Sequence, residues 1–151
     1  MSTAADTIRN LMTQLEQKAQ SLDEKTRKRY RVNYVLGAAS RIAGKPEVAT
    51  DTEYITLLGN VVNTFPATPE GKKPYAQNIN RYDAYIRKKY KLVPAGFNLA
   101  IWMSMGIGLG LPIGAALKNI ALGIPIGIGL GLFIGSMLDN KAKKEDRVVP
   151  L

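Results

Sequence analysis

Hydrophobic and polar residues follow two different patterns along this chain, and the change comes near residue 94. Before that point, apolar residues recur at the three- and four-residue spacing of amphipathic helices. From Ala95 to Leu138, nearly every residue is apolar or glycine, and no polar face recurs. The pattern predicts an all-α protein, with a small four-helix domain followed by a two-helix hairpin.

Four amphipathic helices are predicted in the N-terminal part. They cover about residues 4–20, 22–43, 51–65 and 74–91, and a polar loop at 66–73 separates the last two. That loop contains two prolines and a glycine, which interrupt helices. Apolar stripes on helices of this length favour packing as a small bundle.

The apolar block is too long for one membrane span and suits two. As a single helix it would be about 66 Å long, whereas a bilayer core of about 30 Å needs about 20 residues. Lys118 and Asn119 are its one strongly polar pair, and a lysine at the bilayer centre costs about 2.5–3.5 kcal/mol. We therefore expect spans at about 95–117 and 120–138, joined by a hairpin turn at this pair. A hairpin buried in a soluble oligomer is the alternative, but helices of soluble proteins normally keep a polar face.

The distribution of charge predicts the orientation. Residues 1–93 hold 16 Lys and Arg against 9 Asp and Glu, residues 94–138 hold one charge, and residues 139–151 hold 4 against 3. Basic residues beside membrane spans favour the cytoplasmic side, and the first residues do not resemble a signal peptide. We expect a basic cytosolic domain at 1–93, a transmembrane hairpin at 94–138 and a charged cytosolic tail at 139–151, with both termini in the cytoplasm.

Glycine recurs every four residues in both halves of the apolar block. The set comprises Gly106, Gly110 and Gly114 in the first half and Gly123, Gly127, Gly131 and Gly135 in the second. This spacing puts each set on one helix face, where missing side chains let two backbones pack by van der Waals contact. Gly108 and Gly129 lie about 200° away around the helix. This second packing face predicts that hairpins associate into a homo-oligomer.

The two halves also repeat each other at an offset of 21 residues. Residues 106–114 (GIGLGLPIG) are echoed by residues 127–135 (GIGLGLFIG), which a duplicated span explains. Glycine alternating with Ile or Leu has the two-residue period of a β-strand as well, and Pro112 and Pro125 would kink helices. An open sheet in lipid would leave backbone groups unpaired, and the strands of a closed barrel are only about 9–11 residues long. Helices are therefore the preferred prediction.

The stretch from Gly106 to Lys144, which ends in IGSMLDNKAKK, resembles small bacterial membrane proteins loosely called glycine-zipper proteins. The resemblance covers the C-terminal quarter of the chain, and its motif is low in complexity. It implies a topology, namely a hairpin in the inner (cytoplasmic) membrane of a bacterium, and it implies no catalytic residue. Residues 1–93 resemble no family that we recognise.

Two groups of basic residues are candidates for contact with anionic lipid headgroups. The first comprises Lys25, Arg27, Lys28, Arg29 and Arg31, and the second, next to the first span, comprises Arg87, Lys88, Lys89 and Lys91. Each basic residue near an anionic membrane contributes about 1 kcal/mol. A solvated helix face is the plainer interpretation of the first group, and nucleic acid, on which Tyr30 and Tyr34 could stack, is a less favoured partner. Membrane topology alone accounts for the second group.

Candidate chemistry is sparse. The chain has no His and no Cys, and it lacks phosphate-loop, nucleophile-elbow and zinc-protease motifs, so we expect no catalytic site, no metal site and no cofactor. Two functions are left: a membrane protein that self-associates through its hairpin and presents the helical domain as a platform, or an oligomeric pore-forming or membrane-permeabilising effector. Asn98, Ser104 and Ser136 are the few polar residues in the spans. Because a wet channel needs polar lining, their scarcity favours the platform.

Overall fold

The computed structural model describes residues 3–66 and 71–150. Across these ranges the protein is mainly helical, which confirms the all-α class. The α-helices are α1 (Ala4–Ala19), α2 (Glu24–Arg29), α3 (Val32–Ala43), α4 (Thr52–Asn63), α5 (Lys72–Lys89), α6 (Phe97–Ala116) and α7 (Ile120–Lys144); there are also a 3₁₀ helix at Pro46–Thr50 and two short strands, β1 (Val93–Pro94) and β2 (Val148–Val149). The chain divides into two units. One contains the described residues up to Leu92 together with Val149 and Pro150, and the other is Val93–Val148.

The N-terminal unit has its own apolar core, to which α1, α3, α4 and α5 contribute. The stripes that the spacing predicts lie in this core, as fully buried Ile8, Val35 and Leu58 illustrate. Val149 of β2 is buried in the same core beside Gly37, where an added Cβ would lie 3.1 Å from the valine Cγ1. Val149 therefore packs with the first unit, although it lies far from the rest of that unit in sequence.

The single helix predicted at 22–43 is wrong, because the structure divides it into α2 and α3 at Tyr30 and Arg31. Arg31 has the left-handed backbone conformation, with φ of 53°, which turns the chain between the two helices. The hydroxyl of Tyr75 donates to the main-chain carbonyl of Tyr30 at 2.5 Å, so a side chain of α5 occupies this carbonyl. Over its described residues, the N-terminal unit thus has five α-helices where four were predicted.

The beginning of α4 is set by a capping residue, whereas no side chain caps α5. The carboxylate of Asp51 accepts the main-chain N–H of Tyr54 at 3.1 Å and so caps α4. Helix α5 begins at Lys72, slightly before the predicted start at residue 74. Residues 67–70 of the predicted loop lie outside the described residues.

The C-terminal unit is built on α6 and α7, which pack side by side and run in opposite directions. Helix α6 has 20 residues, a length of about 30 Å. Helix α7 has 25 residues and continues beyond the apolar block to Lys144, so part of the predicted tail is helical. Both helices run through an internal proline, Pro112 in α6 and Pro125 in α7. Beyond the helices, the N–H of Val93 donates to the carbonyl of Arg147 at 2.9 Å, where β1 pairs with β2.

Candidate functional site

The two apolar helices meet along the glycines that recur every four residues. The buried set is Gly106, Gly110 and Gly114 in α6 and Gly123, Gly127, Gly131 and Gly135 in α7. Each of these glycines faces the backbone of the opposite helix. An added Cβ at Gly127 would meet the carbonyl oxygen of Gly106 and would lie 2.8 Å from the Cα of Gly110. Because non-bonded carbon atoms pack best at about 3.5–4.0 Å, only glycine fits there with the helices at this separation.

The contacts between the two helices come in pairs, and the sequence repeat relates the two contacts of each pair. The matched contacts are Gly106 with Gly127 at the centre, Gly110–Gly123 with Gly131–Trp102, and Gly114–Asn119 with Gly135–Asn98. If each residue is replaced by its equivalent in the other repeat, 21 positions away, one contact of a pair becomes the other. In the outermost pair, the distance from the added Cβ to the asparagine carbonyl oxygen is 3.2 Å on both sides. The two spans therefore contact each other through equivalent surfaces.

Asp139 closes the open end of the hairpin. The residue before α6 is Gly96, which has no side chain to cap the first helical turn. The carboxylate of Asp139 takes this role from α7 and accepts the main-chain N–H groups of Asn98 (3.2 Å) and Leu99 (3.3 Å). A carboxylate also suits the positive end of the helix dipole. Asp139 was predicted to lie in a charged tail and its capping role was not predicted, although it continues the four-residue spacing beyond Gly135.

The turn of the hairpin lies at Lys118 and Asn119. The N–H of Asn119 donates to the carbonyl of Gly114 at 2.8 Å, and that of Lys118 donates to the carbonyl of Ala115 at 3.0 Å. This pair of bonds is the Schellman pattern that ends many helices. Lys118 has φ of 53°, at the position where glycine is usual. A charged residue thus occupies a backbone conformation that glycine would adopt more easily.

The outward surfaces of α6 and α7 are apolar. Among the described residues, the exposed large apolar side chains all lie between Ile101 and Leu138. Only 17% of the most apolar part of α6 and 22% of that of α7 is buried, whereas the core helix of a soluble protein is mostly buried. By length and composition, both helices could cross a membrane.

Gly108 and Gly129 lie on this outer surface. Both are exposed, and an added Cβ at either would meet no atom within 4 Å. Pro112 lies four residues after Gly108 and has no N–H that could donate to the carbonyl of Gly108. The hydroxyls of Ser104 and Ser136 donate to carbonyls of their own helices at 2.9 and 3.0 Å. The two glycines are therefore the places where another molecule could come closest to the backbone of the hairpin.

The first predicted basic group does not form one continuous patch. Arg27 turns back onto α1 and donates to both carboxylate oxygens of Glu16, at 3.0 and 3.1 Å. Arg31 lies 3.8 Å from the carboxylate of Asp83 in α5. The exposed members of the group are Lys25, Lys28 and Arg29. Lys28 also lies 3.7 Å from the carboxylate of Glu24, so intramolecular ion pairs engage three of the five cations.

The second predicted basic group is divided in the same way. The guanidinium of Arg87 lies 3.1 Å from Asp83, and the ammonium of Lys89 lies 2.9 Å from Asp51. Lys88, Lys89 and Lys91 are exposed, and Arg87 is half-buried. Part of the charge that the sequence analysis assigned to the membrane surface therefore holds the N-terminal unit together.

Asp51 is a buried carboxylate with several donors. It accepts the hydroxyls of Tyr90 at 2.6 Å and Tyr85 at 2.7 Å, besides Lys89 and the N–H of Tyr54. Burial alone would raise the pKa of Asp51, but these hydrogen bonds lower it to about 2. In turn, hydrogen bonds to Tyr85 and Asp51 raise the pKa of Lys89 to about 12. The network joins the beginning of α4 to the end of α5, which is a structural role.

Neither a metal-binding cluster among the described residues nor a known relative gives further information about the site. Within residues 3–66 and 71–150, no group of three or more His, Cys, Asp or Glu side chains is placed to hold a metal ion. Comparison of the chain with protein-family models, with curated proteins and with solved structures finds no match.

Proposed function

We propose that this chain is an integral membrane protein whose α6–α7 hairpin crosses a lipid bilayer twice. The proposal rests on where the large apolar side chains lie. Glycines occupy the inside of the hairpin and Leu, Ile, Met and Phe its outside, whereas a soluble protein buries its large apolar side chains. In water, such a surface costs about 25 cal/mol for each Å² of exposed apolar area, and lipid removes that cost. Helix α6 has 20 residues, which matches a bilayer core of about 30 Å.

The glycine interface supports insertion, because it is the kind of contact that is effective in lipid. Lipid tails remove the hydrophobic driving force between helices, so association depends on close van der Waals packing. Glycines such as Gly106 and Gly127 allow this packing along the whole pair of helices. We interpret the interface as a glycine zipper that holds the hairpin together.

We further propose that hairpins associate with one another through the outer surface at Gly108 and Gly129. At both positions a neighbouring helix can approach the backbone, because no Cβ is present and no atom lies within 4 Å of where it would be. Pro112 leaves the carbonyl of Gly108 without its usual helical donor. In lipid, neighbouring helices commonly supply partners to such groups. The helical N-terminal domain would then be displayed as an array at the membrane surface.

The flanking charges support a cytoplasmic location for both termini, in the inner membrane of a bacterium. The turn between the helices carries Lys118 alone. The other flanks carry more positive charge, with Lys88 and Lys91 before α6 and Lys141, Lys143 and Lys144 at the end of α7. Positive residues favour the cytoplasmic side. In this orientation the turn faces outward and the N-terminal unit is a cytosolic platform.

A pore is the less favoured alternative. Conduction of ions or water needs polar groups that line a lumen, or a hydrophobic gate between wet vestibules. The hydroxyls of Ser104 and Ser136 are already bonded within their own helices. A platform requires no such lining.

Cysteine labelling tests the topology cleanly, because the chain contains no cysteine. Lys118→Cys introduces one thiol in the turn, and Lys143→Cys introduces a matched thiol near the end of α7. A membrane-impermeant maleimide should label Lys118→Cys in intact spheroplasts but label Lys143→Cys only after lysis. If both thiols are protected until lysis, or if alkaline carbonate extracts the protein from membranes, the double crossing is wrong.

Crosslinking in membranes tests the self-association. The variant Gly108→Leu/Gly129→Leu fills both outer positions, whereas Ala100→Leu/Ala121→Leu enlarges one exposed small residue on each helix as a control. We expect the first variant to shift the protein from oligomer to monomer and the second to leave the oligomer intact. A wild-type protein that crosslinks only as a monomer at native expression would contradict the array.

A further inference from the structure

A small cavity lies in the N-terminal unit where α2 ends and α5 begins. Its volume is about 210 Å³, and most of its wall is apolar. Tyr30, Tyr75 and Ile79 contribute apolar surface. The volume is below the range of about 300–1,000 Å³ that is typical of pockets for drug-sized ligands, so the cavity suits a compact chemical group.

The cavity is positively charged. Arg29, Arg31 and Lys72 line it, and its described lining contains no carboxylate. Arg29 and Lys72 have no ion-pair partner among the described residues. Arg31 lies 3.8 Å from Asp83, but this carboxylate is closer to Arg87, at 3.1 Å. The negative charge of Asp83 is therefore shared, and the described lining of the cavity keeps an excess of positive charge.

Contacts between distant segments fix the shape of the cavity. The hydroxyl of Tyr75 holds the carbonyl of Tyr30 at 2.5 Å, and their rings pack edge to face with centroids 5.7 Å apart. The guanidinium carbon of Arg31 lies 4.6 Å from the centre of the Tyr34 ring, which restrains that side chain. The contacts at the break between α2 and α3 thus restrain Tyr30, Tyr75 and Arg31 in the wall of the cavity before any ligand arrives. Such preorganisation lowers the entropy cost of binding.

We propose that this cavity binds a phosphate group carried on a small apolar moiety, the chemistry of an acidic phospholipid headgroup or of a soluble phosphate ester. Arginine and lysine bind phosphate through charge-assisted hydrogen bonds, and the tyrosines contact the carbon atoms next to the phosphate. The site differs from the basic group predicted on α2, because it excludes Arg27 and adds Lys72, which the sequence analysis did not single out. It lies within the N-terminal unit and does not depend on whether the hairpin crosses a membrane.

Isothermal titration calorimetry on the full-length protein in a non-ionic detergent tests this site. Three ligands separate the contributions: dihexanoyl phosphatidic acid, glycerol 3-phosphate without acyl chains, and dihexanoyl phosphatidylcholine with a headgroup of no net charge. The test variant is Arg29→Gln/Lys72→Gln. The matched control, Lys28→Gln/Lys73→Gln, removes the same charge from adjacent positions on the same two helices without touching the lining. Circular dichroism checks that each variant is folded.

We expect the wild type and the control to bind phosphatidic acid equally, and the test variant to bind it at least about tenfold more weakly. Lys72→Gln alone, at the exposed first residue of α5, should weaken binding about fivefold and serves if the double variant does not fold. Similar binding of glycerol 3-phosphate identifies a soluble phosphate ester as the ligand, and binding of phosphatidic acid alone identifies a lipid. The proposal is overturned if the wild type binds neither phosphate ligand, if phosphatidylcholine binds equally, or if both double variants lose the same affinity.

Discussion

Replacement of Gly127 by alanine tests the backbone contact at the centre of the hairpin. Gly127 faces the carbonyl oxygen of Gly106, and an alanine methyl group would lie 2.8 Å from the Cα of Gly110. Because both obstacles are backbone atoms of α6, no side chain can rotate away, and the helices have to move apart. Gly129 provides a matched control in the same helix, since a methyl group there would meet no atom within 4 Å.

Two opposite effects on the free energy of unfolding determine the outcome. Alanine is favoured over glycine in a helix interior by about 1 kcal/mol, and this gain applies to both Gly127→Ala and Gly129→Ala. Overpacking of a close contact costs about 1–3 kcal/mol, and this loss applies at Gly127 only. The comparison between the two variants cancels the helix preference and isolates the clash. We therefore expect Gly127→Ala to be less stable than Gly129→Ala by about 1–3 kcal/mol.

The single tryptophan of the chain makes the measurement specific. Trp102 belongs to α6, and its backbone packs against Gly131 of α7, so its fluorescence reports on the hairpin. With excess dodecyl maltoside, each micelle holds one chain and the proposed contact between hairpins at Gly129 is absent. Titration with sodium dodecyl sulfate under these conditions should give an earlier transition for Gly127→Ala than for the wild type. Gly129→Ala should give the same transition or a later one. Equal midpoints for the two variants would refute backbone contact at Gly127 and the zipper with it.

Three further predictions use the same kind of measurement. Asp139→Ala removes the acceptor for the first turn of α6 and should destabilise the hairpin by about 1 kcal/mol in the detergent titration, whereas the exposed neighbour Asn140→Ala should have little effect. Lys118→Gly relieves a left-handed backbone and should stabilise the hairpin by about 0.5–1 kcal/mol, while Lys118→Ala should not. In the N-terminal unit, the pKa of Asp51 is lowered from 3.8 to about 2, so its contribution to stability, about 2 kcal/mol, is complete above about pH 4 and is lost as the pH falls towards 2. Chemical denaturation followed by circular dichroism should therefore show a smaller loss of stability over this pH range in Asp51→Asn than in the wild type; equal losses would contradict the network.

The helices of the N-terminal unit were predictable where the spacing of apolar residues is a local property. Helices α1, α4 and α5 begin and end within two residues of the limits that the pattern indicates. The division between α2 and α3 was not predictable in this way. It involves a hydrogen bond from Tyr75 to the carbonyl of Tyr30, across 45 positions of the chain. A pattern confined to neighbouring residues carries no information about such a bond.

The same distinction applies to the candidate site. The sequence could place glycines on one face of each helix, because that needs only the helical period. It could not assign Asp139 to the first turn of α6, because the partners are 40 and 41 positions away. Nor could it identify Arg27 and Lys89 as basic residues that pair with Glu16 and Asp51. Charge near a membrane span is thus a weaker predictor of lipid contact than the number of cations suggests.

The symmetry of the hairpin gives its sequence repeat a physical reason. Gly106 contacts its own counterpart, Gly127, and the contacts on either side exchange when the two repeats are exchanged. A surface that packs against an equivalent copy of itself is the geometry of a two-fold dimer. Duplication of one span therefore yields a hairpin without the need for a new interface. It also copies the outer glycine along with the inner ones, since Gly129 repeats Gly108. The inner glycines are covered within the chain, but the copied outer pair faces away from both helices, which is why we propose that a second hairpin covers it.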